Sequence, residues 1–148
     1  MATMAQVAAF AIEAHAGQVD KIGRDYVNHH IIPVVGKTAD LAYKHRPRAD
    51  GQALVQLAWL HDILEDTEVT YPDLEQLVGH DLTQKVKLLT RPKGVPYLTY
   101  IVHVAGDPST RLVKLADNAV NLVNPPGRLR ERYTQARDVL IDAEGQAI

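Results

Sequence analysis

The segment His61-Asp62-Ile63-Leu64-Glu65-Asp66 concentrates chemistry in six residues. Two adjacent side chains able to bind a metal are followed, four positions on, by two carboxylates. On a helix, residues four apart are neighbours, so His61 is expected over Glu65 and Asp62 over Asp66. All four polar groups would then share one side at the end of an apolar run, Leu54, Leu57, Ala58, Leu60 and Ile63. Taken alone, this tetrad reads in two ways. It is either a solvated helix end with its acids in water, or a partly buried cluster. Burial of three acids and a histidine is costly unless a cation compensates, and a divalent metal would do so.

Two further segments carry polar residues in apolar surroundings. Asp117 stands in Val113-Lys114-Leu115-Ala116-Asp117-Asn118-Ala119-Val120-Asn121-Leu122, with Asn121 one helical turn further on the same face. Earlier, Tyr26-Val27-Asn28-His29-His30-Ile31-Ile32-Pro33-Val34 puts two histidines at the start of a helix. For either histidine alone, a place on the surface is the default reading.

The elements that must position these residues are helical, because apolar residues recur at helical spacing and strand alternation is nearly absent. A first helix is expected from a Thr3 cap to about His15, with Gly17 as its stop. A polar loop through Tyr26 follows. Asn28 or His29 then caps a second helix to about Lys44, with Pro33 in or near its first turn. A turn at His45–Gly51 leads to a third helix, Gln52 to about Asp66. Thr70-Tyr71-Pro72-Asp73 is expected as a turn and cap opening a helix through Val78, stopped at Gly79, and later helices from about Asp81 to Leu89, Tyr97 to Val104, Thr110 to Leu122, and Arg128 to about Ala143. The expectation is an all-α fold, a single compact helical bundle over residues 1–148.

Composition narrows the functions open to such a bundle. Apolar residues make up 46% of the chain and charged residues 23%, as in ordinary globular domains. The formal net charge of −2 supplies no broad positive field for DNA or RNA, so no nucleic-acid partner is expected. A small phosphorylated substrate would need a local cluster of Lys and Arg, or a metal. Cysteine is absent, which removes disulfides, thiolate ligands and cysteine nucleophiles. In Met1 to Gly17, Glu13 and His15 interrupt the apolar residues and no basic stretch precedes them. That segment reads as an amphipathic helix rather than a signal peptide, so a cytoplasmic protein without a membrane partner is expected.

In combination, the order His … His-Asp … Asp resembles the HD superfamily of metal-dependent phosphohydrolases. More narrowly, Ala14-His15-Ala16-Gly17-Gln18, Lys21, Tyr26, His61-Asp62-x-x-Glu65-Asp66 and Lys114-Leu115-Ala116-Asp117 resemble the hydrolase domain of RelA/SpoT alarmone enzymes. Stand-alone small alarmone hydrolases match best in length, and the resemblance spans about residues 5 to 140. It implies an HD-type bundle and a reaction that removes pyrophosphate from the 3′ position of a guanosine or adenosine 3′,5′-polyphosphate.

The resemblance also implies the site residues. His30, His61, Asp62 and Asp117 would bind one divalent ion, commonly manganese (Mn2+). Glu65 matches the residue that deprotonates the attacking water, and Asp66 its partner. Lys21, Tyr26, Asn121 and Tyr133 match positions lining the nucleotide pocket. His29 sits where the family usually places its first ligand, three residues after the tyrosine. Choosing His30 instead puts Ile32, Val34 and Leu41 on the family's apolar positions, which implies one inserted residue before the helix. His15 matches a histidine that is structural rather than metal-binding. One departure bears on substrate: Asp20 stands where the family carries an Arg that lies against the purine, and an acid cannot supply that contact. Asp20 therefore keeps a second enzyme reading open, a different nucleotide phosphohydrolase on the same metal site. A nucleotide-binding sensor is a third, disfavoured by the presence of Glu65.

Overall fold

The computed structural model describes residues 2–146 and 148; Met1 and Ala147, which the expected single domain includes, lie outside the described residues. The helices are α1 Met4–Ala14, α2 Ile32–His45, α3 Gly51–Leu60, α4 Ile63–Asp66, α5 Tyr71–Val78, α6 His80–Leu88, α7 Tyr97–Ala105, α8 Pro108–Asn121 and α9 Gly127–Glu144. Strand pairing among the described residues amounts to one antiparallel bridge, Val19 with Asp25. No described helix is long and apolar enough to cross a membrane.

Local chemistry sets most of the helix ends. Thr3 accepts from the Gln6 backbone while Gln6 reaches back to Thr3, a reciprocal cap that starts α1. Thr70 and Asp73 do the same for α5. Gly79 leaves α5 at φ +86°, a conformation that strains any residue with a Cβ. Asp50 and Asp107 accept the backbone N–H groups of Ala53 and Thr110 and so cap α3 and α8.

The packing is centred on α2 and α8. Helix α2 lies against α3 and α8, while α9 covers α7 and α8. Leu57, Leu60, Ile63, Leu74, Val86, Ile101, Leu112, Val113 and Leu140 fill the interior. Helix α8 is buried on most of its circumference, and Asp117 and Asn118 go inward with its apolar residues. A carboxylate is therefore held inside the bundle by the same burial that makes α8 its axis.

Two local expectations are corrected. Neither Asn28 nor His29 caps the second helix. The Asp25 side chain accepts the Asn28 N–H at 3.0 Å, and the helix enters through a π-helical turn, Val27–Ile31. A π turn holds one residue more than an α turn. This turn lies next to Pro33, whose missing N–H already interrupts the α ladder there. The helix expected from Gln52 to Asp66 is also not continuous. It stops at Leu60, and His61 and Asp62 form a tight turn before α4 resumes at Ile63.

Candidate metal centre

The break at His61-Asp62 makes the centre geometrically feasible. Adjacent residues of a regular helix point about 100° apart, and the turn at this pair narrows that spread. With Asp62 at φ −103°, ψ 0°, both side chains converge, and His61 Nε2 lies 3.1 Å from Asp62 Oδ2. Glu65 and Asp66 follow at the exposed edge of the pair, near enough to Asp62 for its charge to raise both carboxyls.

Four residues meet here from three elements. His30 comes from the π turn, His61 and Asp62 from the break, and Asp117 from α8. Each offers one ligand atom, and these atoms lie within 4.8 Å of one another. His30 Nε2 is 3.0 Å from Asp117 Oδ1, 3.3 Å from Asp62 Oδ2 and 3.4 Å from His61 Nε2. His29 does not take part. It is exposed, and its Nδ1 faces the Asp25 carbonyl at 3.1 Å.

Surrounding groups fix the orientation of all four. The Ala58 carbonyl lies 2.7 Å from His61 Nδ1 and can only accept, so Nδ1 carries a proton and Nε2 is turned to the cluster. The Tyr26 hydroxyl donates to Asp62 Oδ2, and its ring stacks on His30 with centroids 4.9 Å apart. Lys114 Nζ donates to Asp117 Oδ2 at 2.8 Å, and Asn121 Nδ2 to Asp117 Oδ1 at 3.3 Å.

The electrostatics favour positive charge at this point. Burial by itself would raise the Asp117 carboxyl, but Lys114 and both imidazoles outweigh it and hold it well below the carboxylate range. Asp62 behaves alike: burial raises it, and His61 and His30 override that. Burial would lower His30, yet Asp117 and Asp62 lift it to about 9. Two imidazole nitrogens and two carboxylate oxygens form a donor set that suits a borderline divalent ion, and the cluster fits such an ion.

Glu65 and Asp66 form an acidic lip. The Arg91 backbone N–H donates to Glu65 Oε1 at 2.6 Å, and partial burial raises the Glu65 carboxyl, with Asp62 adding to the effect. Asp66 is raised by burial and by Asp62, while Gln18 Nε2 donates to its Oδ2 at 3.2 Å. Gln18 is itself set by buried His15, whose Nδ1 lies 2.7 Å from Gln18 Oε1. The structural role expected of His15 thus has a concrete form. The part of Gln18, 48 positions away from Asp66, was invisible to spacing.

The four residues expected at the nucleotide pocket are placed unequally. Tyr26 lies against the ligand cluster, its hydroxyl engaged with Asp62. Asn121 spends its amide N–H on Asp117, which leaves its carbonyl oxygen outward of that bond. Tyr133 is half-buried on α9, and its backbone carbonyl accepts from Asn118 Nδ2 at 2.9 Å. Lys21 is exposed in the loop. Asp20 is engaged locally: Oδ1 accepts the N–H groups of Ile22 (3.0 Å) and Arg24 (2.9 Å), and Oδ2 accepts Arg24 Nε at 2.8 Å.

No protein-family model matches the chain. Among individual proteins, it is 31% identical over 160 residues to the human guanosine-3′,5′-bis(diphosphate) 3′-pyrophosphohydrolase MESH1, covering 97% of this chain and 86% of that one. It is 31% identical over 121 residues to the guanosine-3′,5′-bis(diphosphate) 3′-pyrophosphohydrolase of Aquifex aeolicus, where it spans only 16% of the relative's length. Among solved structures, a metazoan ortholog of SpoT described as hydrolysing ppGpp superposes with a TM-score of 0.72 at 26% identity, over 95% of this chain and 84% of that one.

Proposed function

From the premise that this chain belongs to the family of guanosine-3′,5′-bis(diphosphate) 3′-pyrophosphohydrolases, we propose that it hydrolyses the 3′-pyrophosphate of an alarmone such as (p)ppGpp or (p)ppApp. The observation that carries this reading is the His30–His61–Asp62–Asp117 cluster beside the Glu65–Asp66 lip. In this proposal the four residues hold one divalent ion, and Mn2+ suits their mixed nitrogen and oxygen donors. When bound, such an ion lowers the pKa of a coordinated water and polarises a phosphoryl oxygen.

The chain's own groups do the rest. Glu65, its carboxyl raised by partial burial, accepts the proton of the attacking water. The water oxygen forms a bond to phosphorus, and the bond from phosphorus to the ribose 3′ oxygen breaks. The departing 3′ oxygen takes up a proton, giving a nucleotide that keeps its 5′-phosphates, and pyrophosphate. The Arg91 N–H keeps Glu65 over the cluster, and the His15–Gln18 pair holds Asp66 beside it. Asn121 and Tyr133 meet the nucleoside. Tyr26 acts through Asp62 and His30, which it orients. A cytoplasmic place of action goes with such a substrate.

The Asp20 position favours a second reading, a nucleotide phosphohydrolase of other specificity, because this carboxylate is committed to its own loop and to Arg24. A panel of nucleotides incubated with manganese-loaded protein, with products separated by ion exchange, decides between them. The first reading predicts that ppGpp is converted to GDP and pyrophosphate while nucleoside mono- and triphosphates persist. Turnover of the latter with ppGpp untouched would install the second.

A further inference from the structure

The chain that leaves α6 carries the Arg91 N–H to Glu65, and the last carbonyls of a helix have no partner within it. The Thr90 N–H donates to the Lys87 carbonyl at 3.0 Å, and the Thr90 hydroxyl to that of Val86 at 2.9 Å. The Leu89 carbonyl is met from outside, by the hydroxyl of Tyr100 on α7. Two residues on, the Arg91 N–H donates to Glu65 Oε1 at 2.6 Å. The Arg91 guanidinium lies 5.6 Å from the centroid of Tyr97, which stands one turn before Tyr100 on α7. The segment that holds Glu65 is thus fastened at Leu89 and at Arg91 by two tyrosines whose ring centroids are 6.0 Å apart.

Tyr100 also reaches the metal centre. The Lys114 ammonium lies 5.4 Å from the centroid of its ring and donates to Asp117 Oδ2 at 2.8 Å. A cation over an aromatic face is attracted to it, and more strongly where water is excluded. Tyr100 is 4% exposed and the Lys114 side chain 12%, so little water competes. Burial raises the Tyr100 hydroxyl well above its ordinary range, which keeps it a donor to Leu89. One side chain therefore touches the support of Glu65 through its hydroxyl and the support of Asp117 through its ring.

We propose that Tyr100 is a positioning residue that fixes the spacing between Glu65 and Asp117, with Tyr97 holding the far end of the loop. This rests on the reading of the preceding subsection, in which Glu65 takes the proton of the attacking water. A base acts only within hydrogen-bond reach of that water, and a displacement of about 1 Å is enough to lose much of the rate. A loosened loop would therefore cost turnover while the four ligands stay in place.

The alternative is a tyrosine that only closes the end of α6 and serves stability. Tyr100→Phe separates the two, because it keeps the ring beside Lys114 and removes the hydroxyl alone. Per folded molecule, kcat should fall by roughly tenfold, with KM and manganese content at wild-type values. Tyr100→Leu, which removes the ring as well, should lower kcat further. Hydrogen–deuterium exchange of the manganese-loaded protein, read by mass spectrometry on peptides covering residues 89–91, should be faster in Tyr100→Phe there and not elsewhere. Should Tyr100→Phe not fold, Tyr97→Leu at a half-buried position frees Arg91 instead, and should quicken the same exchange and lower kcat. Unchanged kcat per folded molecule, or unchanged exchange at residues 89–91, overturns the positioning role. Failure to hydrolyse any alarmone would overturn the preceding reading, and the same kcat comparison on whichever nucleotide is turned over would still decide the role of Tyr100. With no nucleotide turned over, both fall.

Discussion

At the end of α9, the Glu144 carboxylate is gripped by Arg46 Nη1 and Nη2 at 2.6 Å and 2.5 Å and by Arg111 Nε at 2.8 Å. In the middle of α8, the Asp117 carboxylate meets Lys114 on one oxygen, while the other faces two imidazole nitrogens that also face Asp62. Both clusters are buried and both join distant parts of the chain. Around Glu144 every acceptor has its own donor and charge is matched locally, so the cluster is a staple between α2, α8 and α9. Around Asp117 the acceptors converge on one point, and protein donors reach them only from behind. Burial of charge does not mark a functional site; convergence of ligand atoms does.

That contrast is broken most severely by removing a converging group. His30→Ala should lose metal and drop turnover by at least roughly 10³-fold, beyond the 10–100-fold typical when only a supporting group is removed. His29→Ala should retain both, since that ring faces the Asp25 carbonyl. Metal titration of the two variants checks this, and loss confined to His29→Ala would reverse the assignment.

The lip separates chemistry from metal binding. Glu65→Gln keeps size and can still accept from Arg91, but it cannot take a proton. Metal content should persist while turnover falls by roughly 10²–10⁴-fold. Undiminished turnover would move the base role elsewhere.

A smaller effect belongs to the groups behind the ligands. Tyr26→Phe keeps the stack on His30 and removes only the hydroxyl that donates to Asp62. Metal affinity should weaken by roughly 10–100-fold. Unchanged affinity would show that Asp62 holds its orientation unaided.

The staple should respond in stability alone. Glu144→Gln leaves two arginines without their charge partner and should cost on the order of 3 kcal/mol, with activity per folded molecule unchanged. Its pH dependence has a definite sign. The two arginines lower the Glu144 carboxyl from 4.5 to about 2. This contribution is therefore complete above the unfolded value and is lost as pH falls through the folded one. Denaturant midpoints of wild type and variant should differ most near neutrality and converge as pH approaches 2. A gap independent of pH would assign the stabilisation to packing.

The sequence was readable wherever a signal is local. Thr3, Thr70 and Gly79 mark helix ends by their own chemistry, and the α8 periodicity buries Asp117. The break at His61-Asp62 escaped because both residues fit the apolar period on either side, and only their convergence on partners from α8 and the π turn demands a turn there. The π turn at Val27–Ile31 has no propensity signal of its own. The bond from the Arg91 backbone to Glu65 spans 26 positions and has no local signal. The Glu144 staple spans 98 and leaves no local pattern at all.

Elemental analysis of wild type and Asp62→Ala, both saturated with manganese and then desalted, tests the centre without recourse to any substrate. About one ion per chain is expected in the wild type and none in the variant, with turnover of ppGpp lost in parallel. Full occupancy in a folded Asp62→Ala protein would contradict the four-residue metal centre.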